Sequence, residues 1–298
     1  MFKNLRIYRV HSAWPEDEAS LHDKLVEAAF KPCSAFSEKS MGFEPPAADP
    51  AETLCRRVGG AELIQLRWQS RVLPNAAVKE ALAERIADFE RRTTRAPTRV
   101  EKRELKEDVY SELLPRALLK SDRIQAFYLI DEQILAIATP SEKVALEFLD
   151  TLREALGSLL ATPLEYSKSV QAMLKEIFLG GEVGAFAMGR ECRMKDPSET
   201  TSSVSWLDID IHDASVRKHV QEGLVLDRLG LSWNAQVRFV LADDLVLRKV
   251  RFEGLQELDE LEEEDPLMRQ DAEFVLTTGL IRSLLASLKK ELGGYPRT

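Results

Sequence analysis

The chain has 298 residues, 44% of them apolar and 31% charged, with a formal net charge of −9. This length can bury a substantial core and favours two domains, or one large domain with appendages. The N-terminus is too polar for a signal peptide, and no apolar run approaches the roughly 18 residues of a membrane span. We therefore expect a folded, soluble, cytoplasmic protein. Its three widely spaced cysteines, Cys33, Cys55 and Cys192, offer neither a disulfide framework nor a CxxC metal site.

The chain begins with a strand followed by a helix. Alternating side chains predict a strand over residues 5–10, and Pro15 opens a helix with Leu21 and Leu25 on one side. After a loop rich in Gly and Pro, residues 62–68 have the alternation of a second strand.

A helical hairpin is predicted next. Apolar residues recur at helical spacing over 78–89, and residues 94–97 interrupt the pattern. Thr98 and Glu101 then form the Ser/Thr-x-x-Glu capping box of a second helix, which ends near Pro115. Two such helices should pack as an antiparallel pair about 25–30 Å long.

A strand pair and a helix complete this first region. Residues 124–130 and 134–138 are apolar strands, and a helix follows with Thr139 as its cap, Pro140 at its first position and Gly157 behind it. We interpret the whole as one α+β domain with the hairpin as an insertion.

From residue 164 onward the pattern changes to shorter elements of a second α+β domain. They are a helix at 170–178, a bend at 180–181, a helix at 213–222, a hairpin of 236–241 with 245–252, a strand at 274–278 and a helix at 280–292. The predicted fold class is thus α+β with several domains.

Positive charge is concentrated where the helical hairpin turns. The basic residues of this run are Arg91, Arg92, Arg95, Arg99, Lys102, Arg103 and Lys106. Only Glu101 and Glu104 oppose them within the run, so about five positive charges are unbalanced, enough to attract a polyanion. No aromatic residues are interspersed, which favours contacts with phosphates over stacking on bases. A solvated helix face remains the alternative.

A second basic surface is predicted on the strands near the C-terminus, where Arg248, Lys249 and Arg251 occur close to Arg238. The segment 253–265 contains eight acidic residues and no Lys or Arg. It is either a solvated segment or a surface that repels nucleic acid or pairs with a basic surface of another subunit.

No catalytic motif emerges. The four histidines lack metal-ligand spacing, and no nucleophile elbow or phosphate-binding glycine motif occurs. Asp243 and Asp244 are better explained as turn residues than as metal ligands. We therefore expect no enzymatic activity, no cofactor and no metal.

Six short motifs resemble, in order, the bacterial recombination-associated RdgC family. They are Phe2-Lys3-Asn4-Leu5, Met41-Gly42-Phe43-Glu44-Pro45-Pro46, Leu73-Pro74 with Val78-Lys79, Leu113-Leu114-Pro115-Arg116-Ala117, Leu156-Gly157-Ser158-Leu159 and Phe274-Val275-Leu276-Thr277-Thr278-Gly279. The resemblance extends over essentially the whole chain. It implies a ring-shaped homodimer of curved subunits, through which duplex DNA passes without sequence specificity, and a role in limiting the access of the RecA recombinase to DNA.

The resemblance also implies a division of the chain into centre (1–73 and 123–163), tip (74–122) and base (164–298). The predicted DNA-binding residues are the seven of the hairpin together with Arg116, Arg248, Lys249 and Arg251. Leu118, at a position that is aromatic in the family, and Leu119 are the predicted dimer contacts. The acidic segment 206–210 departs from the family, so no DNA contact is assigned there.

Two functions remain open from the sequence, and a third, a nuclease or other hydrolase that uses Asp243 and Asp244, is the least favoured. The first is a nucleoid-associated protein that encircles double-stranded DNA and opposes RecA. The second is a non-enzymatic protein-interaction module, in which the basic hairpin binds an acidic partner.

Overall fold

The computed structural model describes residues 2–46, 52–198, 202–208, 211, 213–254 and 265–296. Within these ranges the chain forms seven α-helices and two sheets whose strands pair in antiparallel fashion. The predicted α+β class is thereby confirmed. None of the described helices is both long and apolar enough to cross a membrane.

The first sheet has seven strands. They are β1 (Arg6–Val10), β2 (Lys39–Glu44), β3 (Cys55–Val58), β4 (Ala61–Val72), β5 (Leu118–Leu129), β6 (Ile134–Ile137) and β7 (Ala161–Pro163). Their order is β2-β4-β5-β6-β1-β7, and β3 also pairs with β4. Helices α1 (Glu18–Glu27) and α4 (Glu142–Leu156) cover one face, where Leu21, Leu25 and Phe148 are fully buried.

Helix α4 begins later than its sequence predicts. The Ser141 hydroxyl accepts a hydrogen bond from the Val144 amide, so Ser141 is the N-cap. The predicted cap Thr139 is wrong, because its hydroxyl instead accepts from the Ser141 amide at 3.1 Å, in the turn before the helix. Gly157 ends the helix in the left-handed conformation, with φ 76°, as predicted.

Strands β4 and β5 form a long ribbon that carries the helical hairpin. They pair over twelve residues, from Ala61 with Leu129 to Val72 with Leu118. Between them lie α2 (Asn75–Thr93), α3 (Arg99–Leu113) and a 3₁₀ turn (Leu114–Arg116). Residues 118–122, at the end of the predicted tip segment, therefore belong to a strand.

The second sheet has five strands in the order β12-β11-β10-β8-β9. They are β8 (Phe186–Lys195), β9 (Ser203–Trp206), β10 (Val225–Trp233), β11 (Val237–Ala242) and β12 (Leu247–Phe252). The remaining helices are α5 (Val170–Phe178), α6 (Ala214–Gln221) and α7 (Pro266–Glu291). The helices predicted at 170–178 and 213–222 and the β11–β12 hairpin are confirmed.

The strand predicted at 274–278 is wrong, because these residues lie within α7. Thr277 and Thr278 are buried in this helix, and the Thr278 hydroxyl donates to the Phe274 carbonyl at 2.7 Å. That bond satisfies the hydroxyl inside the core without interrupting the helix.

The two sheets are joined through backbone pairing and a common core. The Leu5 amide donates to the Leu247 carbonyl at 2.8 Å and the Leu247 amide returns a bond at 3.0 Å, so the N-terminal segment closes the β12 edge. Phe274 of α7 packs against Phe2 and Phe127, with ring centroids 6.4 and 6.3 Å away. One hydrophobic cluster therefore extends from the first sheet into the second.

Candidate nucleic-acid interface

The helical hairpin is exposed over most of its length. Among the side chains described, α2 buries only Val78 and α3 buries only Val109. All seven predicted basic residues of the hairpin are exposed. The apolar stripes of the two helices are used mainly against each other, which leaves the polar faces to solvent.

Arg95 and Glu101 hold the loop between the two helices. The Arg95 guanidinium donates two hydrogen bonds to the Glu101 carboxylate, at 2.9 and 2.6 Å, and lies 5.3 Å from the centroid of the Phe89 ring. The Thr98 hydroxyl and the Glu101 carboxylate also complete the predicted capping box. Hydrogen bonds from Arg95 and from Thr98 lower the pKa of Glu101 to about 2.

Ion pairs divide the seven cations into two groups. Arg91 pairs with Asp88, Arg95 with Glu101, and Arg103 with Glu107 at 3.6 Å. The other four have no ion pair within the described chain; they are Arg92, Arg99, Lys102 and Lys106. Residues 88–107 contain seven basic and five acidic side chains. The local excess of positive charge is therefore smaller than the basic run alone indicates.

Arg71 binds the turn at the base of the hairpin, and no sequence pattern indicated this role. One nitrogen of its guanidinium lies 3.2 Å from each of the carbonyls of Leu114, Pro115 and Ala117. Arg116, within the same turn, is exposed. Only strand pairing could have identified Arg71, since it is paired with Leu119 across the ribbon.

Exposed apolar side chains lie beside this turn. Leu118 is 80% exposed and Leu119 47%, and Val72, the strand partner of Leu118, is 44% exposed. Phe36, which is 80% exposed, lies in the loop whose Ser34 carbonyl accepts from Arg71. Large apolar groups left in water at one place are typical of an interaction surface.

The second predicted basic surface lies on the open face of the five-stranded sheet. Simple alternation would place Arg248 with the buried Val250, opposite Arg251. However, Lys249 has a positive φ of 51° and the β11–β12 register shifts beside it. This bulge brings Arg248, opposite Val240, to the same face as Arg251, opposite Arg238.

Connected grooves extend this basic surface beyond the predicted residues. Lys249 and Arg251 line one groove with Arg238 and Arg190, and a neighbouring groove adds Lys3. Arg193, Arg228 and Arg248 line the adjoining cavity. Residues of β8 and β10 were missed because these strands were not predicted.

Several of these cations have acidic partners. Lys249 pairs with Glu191, Arg238 with Glu253, and Arg190 with Asp208 at 3.0 Å. Asp208 belongs to the segment 206–210, of which residues 209 and 210 lie outside the described residues. Within the acidic segment 253–265, residues 255–264 likewise lie outside them.

The two adjacent aspartates of the β11–β12 turn are engaged by basic residues. Asp244 lies 3.1 Å from Arg6, and Asp243 lies 3.8 Å from Lys195. In the part of the chain that the structure describes, no group of three or more His, Cys, Asp or Glu side chains could hold a metal ion.

Comparison with known proteins decides the family. The family described as "Putative exonuclease, RdgC" matches residues 1–295. The chain belongs to the RdgC family. Curated relatives named "Recombination-associated protein RdgC" include those of Shewanella halifaxensis (30% identical), Shewanella loihica (32%) and Laribacter hongkongensis (34%), each matched over 98% of both chains.

These comparisons confirm the resemblance that the six motifs indicated. The names differ on chemistry, since the family description reads "Putative exonuclease" and the relatives are named recombination-associated proteins. Both names refer to processes that act on nucleic acids.

Proposed function

We propose that the chain binds double-stranded DNA without sequence specificity, as a ring-shaped homodimer that encircles the duplex. By occupying duplex DNA it would limit homologous recombination mediated by RecA. In this proposal the protein is non-enzymatic and associated with the nucleoid. The names of its relatives, which are called recombination-associated proteins, support a role in recombination but do not specify a ring, a duplex or RecA.

The observation that carries the proposal is a set of four cations on a projecting hairpin that form no ion pair with any residue described. At 1.5 Å per residue, the 19 residues of α2 extend about 28 Å from the end of the β4–β5 ribbon. Arginine and lysine side chains that are exposed and free of carboxylates can contact phosphates without first breaking an internal ion pair. Arg91 and Arg103, whose ion pairs lie on the exposed helix surface, can exchange partners at small cost, because exposed ion pairs contribute little.

The distribution of charge supports a local interaction with a polyanion. The whole chain carries a net charge of −9, so an evenly distributed charge would repel DNA. The basic grooves of the second sheet offer a further contact surface, with Arg251 and Lys3 exposed and unpaired within the described chain.

The dimer would use the exposed apolar group at the base of the hairpin. Leu118 and Leu119 would belong to a patch that faces its own copy on the second subunit, as a two-fold axis requires. Burying these side chains would remove apolar surface from water.

Salt dependence tests the DNA-binding part of the proposal. If about six phosphates are neutralised, the logarithm of the affinity should fall against the logarithm of salt concentration with a slope near −5. The variant Arg92→Ala/Lys102→Ala should bind all duplex sequences more weakly, lower the magnitude of the slope by about two, and inhibit RecA strand exchange less.

The control for this variant is Lys143→Ala/Lys175→Ala. It changes the net charge equally but removes exposed lysines of α4 and α5, away from the hairpin. Equal weakening by both variants, or a wild-type affinity insensitive to salt, would contradict the proposal. Loss of the dimer with duplex binding intact in the hairpin variant would assign the basic hairpin to a protein partner instead.

A further inference from the structure

A small cavity on the open face of the second sheet is lined by two arginines that have no acidic partner among the residues described. Arg228 of β10 and Arg248 of β12 line it, together with Arg193, Ser205 and Lys249. Its volume is about 100 Å³. Arg228 is paired with Ala242 on β11, and Arg248 is paired with Val240 on the same strand. The two arginines therefore lie on either side of β11 and on the same face of the sheet.

The carboxylates near the cavity are committed to other cations. Asp227 accepts hydrogen bonds from Arg193, at 2.9 and 3.0 Å to Nε, and also from Lys195 at 2.9 Å. Glu191 pairs with Lys249. Within the described chain, neither Arg228 nor Arg248 has an ion pair or a side-chain hydrogen bond.

Partial burial of the two arginines makes this arrangement costly. The Nε atom of Arg248 is buried and has no hydrogen-bond partner. Desolvation, followed by the positive charge of Arg228, lowers the pKa of Arg248. A partly buried cation beside a like charge is destabilising, and a bound anion would offset that cost.

We propose that Arg228 and Arg248 form a phosphate-binding site and that its occupant is a backbone phosphate of duplex DNA. The identity of the occupant rests on the function proposed above. Two planar guanidinium groups match the oxygens of a phosphate group better than lysines would. The cavity shares Lys249 and Glu191 with the larger groove that contains Arg238 and Arg251. A phosphate in the cavity would therefore belong to a DNA strand that lies along this groove.

The first experiment tests the site with inorganic phosphate alone. Thermal unfolding of the full chain is measured in phosphate and in chloride at equal ionic strength, for the wild type and for Arg228→Gln/Arg248→Gln. We expect phosphate to raise the midpoint of the wild type more than that of the variant. Phosphate also stabilises proteins generally as an excluded salt, but that effect is common to both chains and cancels in the comparison.

The same variant should be more stable than the wild type when no phosphate is present, because a pair of like charges has been removed. A purely structural role of the two arginines predicts the opposite. The variant Arg228→Lys/Arg248→Lys keeps both charges and should retain only part of the phosphate effect, since lysine cannot bind through a fork.

The second experiment identifies the source of the phosphate. Removing the contacts to this one phosphate should lower the magnitude of the salt slope of duplex binding by about one. Lys143→Ala/Lys175→Ala again serves as the control of equal charge. A slope that falls equally in the control would overturn the duplex contact.

The outcomes separate this inference from the proposed function. Equal stabilisation of the wild type and the Gln variant by phosphate overturns the site. If the phosphate effect is lost in the variant but the salt slope is unchanged, the site binds free phosphate and the assignment to DNA is overturned. If the wild type binds no duplex, the proposed function and the backbone assignment both fail, while the phosphate measurement still decides whether the site exists.

Discussion

Some side chains in the hairpin make contacts that their spacing in the sequence does not predict. Arg95 and Glu101 are six residues apart, too far for a contact along one helix, yet they meet across the loop. By contrast, the capping box at Thr98 depends on local spacing alone and was predictable. The basic character of the run could therefore be predicted, but its division into paired and unpaired cations could not.

Replacing Arg95 should alter the titration of Glu101. In the wild type a pKa near 2, well below the ordinary 4.5, means that the Glu101 carboxylate stabilises the loop above pH 4.5. This stabilisation is lost as the pH falls from 4.5 towards 2. In Arg95→Ala the pKa should rise towards 4.5, as measured by NMR of the side-chain carboxyl carbon; an unchanged pKa would refute the role of the Arg95 contact.

Gly42 explains one of the motifs that carried the family resemblance. A Cβ atom at this position would lie 2.4 Å from the Cα of Phe30, whose segment pairs in parallel with β2 at Phe43. Gly42→Ala should therefore lower the free energy of unfolding by about 1–3 kcal/mol, as measured by chemical denaturation.

A glycine with open space around it provides the control for Gly42. Gly279 lies within α7, and a Cβ there would meet no atom within 4 Å. Gly279→Ala should raise the free energy of unfolding by about 0.5–1 kcal/mol, because alanine favours a helix. Destabilisation by Gly279→Ala together with tolerance of Gly42→Ala would contradict both assignments.

At the scale of whole elements, helices and strands that depend on nearby residues were predicted, and those that depend on distant contacts were not. The helices α2, α3 and α5 have regular apolar spacing, and a short turn connects β11 with β12; all were predicted. Strands β8 and β10 were missed, because they contain charged residues and glycines and pair with two shifts of register. In α7, adjacent threonines resemble a strand, but packing against both sheets keeps them helical.

The exposed end of the β4–β5 ribbon leads to a prediction about assembly. Leu118→Glu places a charge within the apolar group at the base of the hairpin. If this group forms a subunit contact, the dissociation constant of the dimer should rise by about tenfold or more, as measured by analytical ultracentrifugation.

A matched substitution elsewhere controls for the added charge. Leu160 is 60% exposed and lies before β7, on the far side of the first sheet from the β4–β5 ribbon. Leu160→Glu should leave the dimer unchanged. Comparable dissociation caused by both substitutions, or by neither, would rule out Leu118 as a specific contact.

At the scale of the whole molecule, positive charge is concentrated on two surfaces, although the chain is acidic overall. Basic residues occupy the hairpin and the open face of the second sheet, although acidic residues outnumber basic ones, 50 to 41. The sequence indicates the basic hairpin because it is a run of residues, whereas the basic residues of β8 and β10 were missed together with their strands. The joining of the two sheets through Leu5, Leu247 and the common core depends on contacts between distant segments, and no local pattern predicts it.

Encirclement has a topological consequence that surface binding lacks. A ring on a closed circular duplex cannot leave without opening, whereas on a linear duplex it can slide off the ends. The most direct measurement compares dissociation of the protein at high salt from a closed circular plasmid and from the same plasmid cut once. The account predicts slow dissociation from the circle and rapid loss from the linear form; equal rates from both would contradict it.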